Sequence, residues 1–350
     1  MKYGKIRIQD GNLVFVKHMM VNNLPCKDIM WAYMRRETSD KGERKQISTN
    51  YLMISTRRKK KYQFDMTQKE AQDCIRVLKA LNPDMAVGCP KGGRIDLLSL
   101  NNTRDLGGLS TQDGRHLLPR KLLRSGDLYH MSNSDRNVLA EEYRIKTVID
   151  LRTEIERKYR PDTVLAGVEY YHMSVFDEEL GDRSTQPDYF KKIVAFKGDA
   201  HSFRKKLYEN MILDEYSLKQ YARFMDVLLK NENGAVLWHC ADGKDRTGVV
   251  TALVLAVLGV PEETIKEDFI RSNHYLDGEL QYMIRLLESQ TIVNKKMLDN
   301  MNTFYKVKES YIDLVFRTID KKYGGIDKFL RRVLYLTPKA IEELRDKYLI

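Results

Sequence analysis

Residues 234–255 bring together side chains that could do covalent chemistry on an anion. Gly234-Ala235-Val236-Leu237-Trp238-His239 reads as an apolar strand. Cys240 ends it, Ala241-Asp242-Gly243-Lys244-Asp245 turns back, and Arg246-Thr247-Gly248 opens an apolar helix. In such a turn, backbone N–H groups can converge on one anion while the helix N-terminus adds its positive end. A thiol placed there ionises readily and becomes a nucleophile. The planar fork of Arg246 can hold two oxygens of one phosphate, which a lysine cannot do. The expected anion-binding set is Ala241, Asp242, Gly243, Lys244, Asp245, Arg246 and Thr247, with Cys240 as nucleophile. Gly243 permits the tight turn, and Gly248 lets the helix come close. Thr247 can offer its hydroxyl to the thiolate or assist a later step, and His239 can brace the loop. An inert buried cysteine would explain Cys240 alone. It does not explain Arg at +6, Thr at +7 and glycines at +3 and +8.

The elements that must position this loop have an α/β texture. Residues 146–151 read as a buried strand and 168–173 as another; helical patterns cover 203–211 and 217–230. After residue 262 the pattern is almost wholly helical, with breaks expected near Gly278, Gly324-Gly325 and Pro338. The fold class expected for 100–350 is a central sheet flanked by helices. The first part is different. Lys5 to Gln9 alternates, Asp10-Gly11 signals a hairpin, and Asn12 to Val16 follows. Residues 24–35 read as extended, 37–47 as a polar loop, and 51–55 and 62–64 as strands around a basic turn at Arg57-Arg58-Lys59-Lys60-Lys61. Thr67 and Glu70 form a capping box for a helix with Ala71, Cys74, Val77 and Leu78 on one face, ending at Asn82-Pro83. Gly88, Pro90, Gly92 and Gly93 mark a connection. The expected division is a basic domain at 1–88, a linker at 89–99 and a catalytic domain at 100–350. Several antiparallel strands closed by one helix resemble a pleckstrin-homology (PH)-like domain in layout.

His239-Cys240, five residues, then Arg246-Thr247-Gly248 resembles the signature of the cysteine-dependent phosphatases, the tyrosine and dual-specificity superfamily. The inner Gly243-Lys244-Asp245 is similar to the bacterial tyrosine phosphatases that also act on phosphoinositides. Further blocks resemble that family: Asn102 to Gly108 (with Thr103 where an aromatic residue is usual), Leu122 to Leu128, Thr147 to Arg152, Leu258 to Pro261, Arg271-Ser272-Asn273, Tyr323-Gly324-Gly325 and Leu344-Arg345. The loop alone also resembles that of the myotubularin lipid phosphatases, which have tryptophan in place of Lys244 and a PH-like domain ahead of the catalytic one. The resemblance implies hydrolysis of a phosphate monoester through a phosphocysteine on Cys240, with Arg246 and loop amides stabilising the transferring group, and no cofactor or metal. The leaving oxygen needs a proton. Asp245, inside the loop, is the first candidate for that acid; its competing role is a structural ion pair. Asp150, ending a strand, and Asp177, beginning an irregular stretch, are the alternatives, with Asp242 last because it can simply cap the loop; Asp150 could instead orient Arg152 or Arg246. Lys244 is expected at the rim, either to receive a second phosphate or to compensate Asp242 and Asp245. Residues 177–215, with Phe190, Phe196 and Phe203, are long enough for a lid or a peripheral helix pair.

Composition narrows the classes. Of 350 residues, 42% are hydrophobic and 31% charged, which fits a folded chain rather than a disordered one. Residues 1–88 hold 18 Lys and Arg against 9 Asp and Glu, so +9 of the net +11 lies there. Such a charge favours anionic partners. The run at 57–61 could meet an anionic membrane surface; a nuclear or nucleic-acid signal is the competing motif reading, and a solvated turn the plain one. No nucleic-acid motif accompanies it. The cysteines Cys26, Cys74, Cys89 and Cys240 are far apart, against a disulfide framework and for a reducing compartment. No apolar region follows the N-terminus, and the longest apolar run, 249–260, is about 12 residues where a span needs ~20. A cytoplasmic enzyme acting on a phosphorylated protein or a phosphoinositide is the expectation. The alternative is a binding module that captures phosphorylated ligands without turnover.

Overall fold

A computed structural model describes residues 1–17, 19–40, 46–177 and 189–350. Its chain divides into two compact units, Met1–Pro90 and Lys91–Leu349.

Among its described residues, the first unit contains two four-stranded sheets, one α-helix and a 3-10 turn at Cys26–Asp28. In one sheet the strands Lys2–Tyr3, Ile6–Gln9, Asn12–Lys17 and Met20–Pro25 run as a meander. In the other, Lys61–Asp65, Gln46–Thr56, Ile29–Asp40 and Ala86–Val87 lie side by side, antiparallel except for the last pair. Residues 37–47, expected as a loop, are strand at both ends, since Asp40 pairs with Gln46. Cross-strand backbone pairing overrides the polar composition of this stretch, because strand propensity yields to its context. The helix Gln68–Leu81 starts as the sequence predicts: Glu70 N–H donates to Thr67 Oγ1 at 3.2 Å and Thr67 N–H to the Glu70 carboxylate at 2.9 Å. Ala71, Cys74 and Leu78 pack with Leu13, Ile29, Leu52 and Ile54 into one core. Arg57 to Lys61 lie exposed at a turn between two strands.

The second unit is built on a five-stranded sheet in the order Glu169–His172, Ile145–Asp150, Ala235–His239, Leu122–Ser125, Arg104–Asp105. The first four are parallel and the last is antiparallel. Ala235–His239 is central and buried at every residue, which is why it reads as a continuous apolar run rather than an alternating one. The helix Arg246–Val257 leaves that strand and is buried on nearly all sides. Trp238 Nε1 donates to Thr251 Oγ1 at 2.9 Å and ties helix to strand. Helices Ala200–Leu213 and Glu215–Lys230, each N-capped by an aspartate, extend the core through Tyr208, Met211, Tyr221 and Phe224. The C-terminal helices are Glu262–Gln290, Lys295–Tyr305, Glu309–Tyr323, Ile326–Arg332 and Pro338–Tyr348. The break expected at Gly278 is absent: the helix runs through it, since an exposed glycine costs a helix only about 1 kcal/mol. Part of the stretch expected as a lid, 178–188, lies outside the described residues; the rest forms helices Tyr189–Val194 and Ala200–Leu213.

Candidate active site

Parallel strands place their C-terminal ends along one edge, so Cys240, Asp150 and Ser125 meet there without any local sequence relation. Cys240 follows the central strand and is buried. The loop after it is braced from outside. Nδ1 of His239 lies 3.2 Å from Cys240 O, and Asp127 N–H donates to Ala241 O at 2.8 Å. Asn102 Nδ2 donates to Asp242 O and Gly243 O at 3.1 and 2.9 Å, and Arg124 Nη2 to Gly243 O at 2.7 Å. With four successive carbonyls used outward, the opposed N–H groups turn toward the enclosed side, the arrangement of an anion nest. Gly243 sits at φ +67°, and a Cβ there would lie 2.3 Å from Ser125 O. A Cβ on Gly248 would meet the Phe269 ring at 2.7 Å. Gly243 is needed for turning and for close packing, Gly248 for close packing alone.

Arg246 is fully buried and held in a fork-to-fork pair with Glu156, at 2.5 and 2.7 Å. The same carboxylate accepts from Thr153 N–H at 2.8 Å and Thr153 Oγ1 at 3.0 Å, so a helix-capping box also carries the arginine's orienting group. The Phe176 ring lies 5.5 Å from the guanidinium. Thr247 Oγ1 is buried and has no hydrogen-bond partner among the described residues, leaving its hydroxyl for a thiolate or a bound phosphoryl group.

Asp245 accepts from Arg204 and from the Tyr208 hydroxyl, and Lys244 Nζ is 3.4 Å away. Burial alone would raise this carboxyl's pKa. The charges of Arg204 and Lys244, with the hydrogen bonds from Arg204 and Tyr208, outweigh it and hold Asp245 well below the usual carboxylate range. Lys244, expected at the rim, is instead only 3% exposed and pairs with Asp242 as well as Asp245. Two flanking carboxylates stabilise its charge against burial, which is the compensating role. Asp150 binds Arg152 through both oxygens, at 2.9 and 2.8 Å. It therefore orients Arg152, not Arg246, and its Oδ1 lies 3.9 Å from His239 Nδ1. Asp177 is exposed, next to Phe176, at the edge of a cleft of about 270 Å³ lined also by Phe203, Leu207 and Asp214.

Behind the loop, His239 Nε2 lies 2.9 Å from Asp162. Burial would lower the imidazole's pKa, but the charges of Asp162 and Asp150 override it and favour the imidazolium. Asp150, Asp162 and His239 bring donor atoms within 4.8 Å of one another, a spacing a metal ion could use. Arg152 already supplies the cation there, at 2.8 Å from both carboxylates. Across the loop, the carboxyl of Glu279 is open to solvent yet crowded, and desolvation together with Asp242 pushes its pKa up to about 7.

Glu156, Arg204, Tyr208, Asp268 and Glu279 are site residues that sequence reading missed. Asp268 clamps the buried Arg104 and Arg124 at 2.7 and 2.5 Å, and so holds the donor of the Gly243 brace. The one local signal was Thr153-x-x-Glu156, which reads as an ordinary helix start. Arg204 and Tyr208 share a helix face four residues apart, a pattern indistinguishable from packing.

Residues 95–350 match the tyrosine phosphatase family, and residues 2–92 match a domain of unknown function (DUF6709). The chain is 28% identical over 256 residues to the triple specificity protein phosphatase PtpB of Mycobacterium tuberculosis, covering 66% of this chain and 90% of that one. It is 31% identical over 229 residues to a tyrosine-protein phosphatase of Nostoc commune, covering 64% and 72%. The braced cysteine loop, its buried arginine and the extent of these matches lead to one statement: the chain belongs to the tyrosine phosphatase family.

Proposed function

We propose that this enzyme hydrolyses phosphate monoesters on phosphotyrosine protein and on phosphoinositides, using Cys240 as nucleophile. The observation that carries the reading is the loop itself: Cys240 at the end of the central strand, outward-braced carbonyls, and Arg246 pre-set by Glu156. In the first step Cys240 Sγ forms a bond to phosphorus and the ester oxygen leaves. In the second, water attacks phosphorus, the S–P bond breaks and inorganic phosphate departs. The loop N–H groups and Arg246 stabilise charge on the transferring group in both steps.

Asp245 is the acid we carry forward, because it is the carboxylate in the loop beside Arg246. Its neighbours hold it ionised before substrate binds, so its proton must be taken up with the arriving phosphate. A unit negative charge about 5 Å away at an effective dielectric near 20 is worth ~3 kcal/mol, about two pKa units, and a phosphate dianion brings twice that. Glu279, already titrating near neutrality, is the competing donor. A phosphoinositide substrate is favoured by the similarity of the Gly243-Lys244-Asp245 loop to that of bacterial phosphatases acting on phosphoinositides, and a protein substrate by the name of the mycobacterial relative, a triple specificity protein phosphatase. For the segment 1–88, joined by 89–99 to the catalytic domain, we propose a PH-like docking module; two antiparallel sheets, one closing helix and the exposed run 57–61 support it. Cytoplasmic action on membrane-held lipid fits this arrangement, and no helix among the described residues is long and apolar enough to cross a membrane.

The test is phosphate release from a phosphotyrosine peptide, a phosphoserine peptide and each phosphoinositide, by wild type and Cys240→Ser in parallel. Release that vanishes in the variant is expected. No release from any substrate by folded, reduced wild type would favour the non-catalytic binding module instead.

A further inference from the structure

A second basic cleft, outside the catalytic loop, is used by nothing described above. It encloses about 580 Å³ between the start of helix Ala200–Leu213 and helix Lys295–Tyr305, and four lysines line it: Lys295, Lys296, Lys306 and Lys308. Asp199 and Asp299 are its acids. Asp199 is occupied, accepting from His201 N–H and from Ser202 as the helix cap. Lys306 faces Asp277 at 3.3 Å and Lys296 donates to Gly198 O. Among the described residues, no carboxylate lies within ion-pair distance of Lys295, Lys296 or Lys308. A concave wall with this excess of one charge concentrates anions.

One of these lysines is connected inward. Lys308 Nζ donates to His201 Nε2 at 2.9 Å, which makes that nitrogen an acceptor and leaves the proton on Nδ1. Nδ1 meets the Tyr311 hydroxyl at 3.2 Å. Arg204 lies over the Tyr311 and Tyr208 rings at 5.7 and 5.4 Å, acts electrostatically on the Tyr311 hydroxyl, and donates to Asp245. A chain of contacts therefore runs from the cleft to the loop aspartate, through His201 and Arg204 on the helix Ala200–Leu213 and Tyr311 on the helix Glu309–Tyr323. An anion that draws Lys308 away from His201 frees Nε2 and reorganises the hydrogen bond to Tyr311, and with it the guanidinium that holds Asp245.

We propose that this cleft is a second anion site, taking a ligand with two or more clustered phosphate groups, and that its occupancy is communicated to the catalytic loop through His201, Tyr311 and Arg204. The chemistry is shared by a free polyphosphorylated molecule and by a phosphorylated lipid headgroup, and the experiment separates them.

The full chain carrying Cys240→Ser is titrated calorimetrically with inorganic tripolyphosphate, so that binding is read without turnover and independently of the activity proposed above. Two sites are expected. Adding Lys295→Glu and Lys296→Glu, both on the exposed surface, should weaken one of them roughly tenfold or more and leave the other unchanged. A single site, or two sites indifferent to these changes, overturns the proposal. The same titration with soluble inositol trisphosphate and with phosphatidylcholine vesicles containing a phosphatidylinositol bisphosphate assigns the source, by which arm responds to the lysine changes. Communication is read in the active enzyme on an aryl phosphate. Competition at the loop raises KM alone, whereas occupancy of the second cleft should change kcat about fivefold or more. His201→Gln should abolish that change in kcat while keeping both binding sites. A kcat indifferent to tripolyphosphate in wild type refutes the communication.

Discussion

Glu156→Gln is the sharpest test of how the loop is organised. The wild-type carboxylate is wholly buried and accepts hydrogen bonds from both Nη atoms of Arg246 and from Thr153 N–H and Oγ1. Glutamine keeps the volume but loses the charge, and its amide NH₂ faces a guanidinium that only donates. One Arg246 hydrogen bond is lost and a buried positive charge is left without its partner. Removing one member of such a pair costs about 3–5 kcal/mol; glutamine retains one acceptor oxygen, so ~3 kcal/mol is expected. At about 2–4 °C per kcal/mol for a unit of this size, the melting temperature should fall by roughly 6–12 °C. Catalysis should suffer separately. A guanidinium displaced by about 1 Å loses its alignment with the phosphoryl oxygens, which corresponds to ~100-fold in kcat. The assay is steady-state hydrolysis of an aryl phosphate at a temperature where the variant is folded, beside thermal denaturation. Arg246→Lys serves as the reference, since it removes the fork directly. Wild-type kcat in a Glu156→Gln enzyme would refute the reasoning that Arg246 depends on this carboxylate for its position.

Three further outcomes are expected. Asp245→Asn should lower kcat by about 10²–10⁴ for an alkyl phosphate and much less for an activated aryl phosphate, whose leaving group needs no proton; Glu279→Gln, run beside it, should leave that difference intact, and the reverse result would move the acid to Glu279. Gly243→Ala should remove activity and lower stability measurably in a denaturant titration, because its Cβ would lie 2.3 Å from Ser125 O at a φ of +67°. The His239–Asp162 pair should make stability depend on pH in two directions. The raised imidazole stabilises the fold fully below its unfolded value of about 6.5, and that share is lost as pH rises through the higher folded value. The depressed Asp162 contributes above its unfolded value of about 3.9 and loses that share as pH falls through the lower folded one. Stabilisation from the pair is thus largest between roughly pH 4 and 6.5, and unfolding free energies of His239→Gln across pH 4–9 should lose the decline on the alkaline side.

Much of the site was legible because its chemistry is local. Cys240, Arg246, Thr247 and the two glycines lie within nine residues, and the strand and helix on either side are apolar enough to be read from composition. The capping box at Thr67 and the hairpin at Asp10-Gly11 were legible for the same reason: each is a short-range hydrogen-bonding problem with few solutions. What the sequence left open was every decision made between distant residues. Glu156 is 90 positions from Arg246, and Asp268 is 164 from Arg104; only the parallel sheet and the long helix over it bring these charges together. The same holds for the choice among aspartates. Asp150, Asp177 and Asp245 are equivalent as letters, and they differ because Arg152 takes the first, solvent meets the second, and Arg204, Tyr208 and Lys244 surround the third. By itself the sequence determined the family and with it the class of reaction, and marked Cys240 and its turn as the proposed nucleophile and phosphate cradle, since those rest on residue type and spacing along one turn. The tertiary structure alone decided which buried charges neutralise one another, because electrostatic energy depends on distance and burial in space and not on separation along the chain.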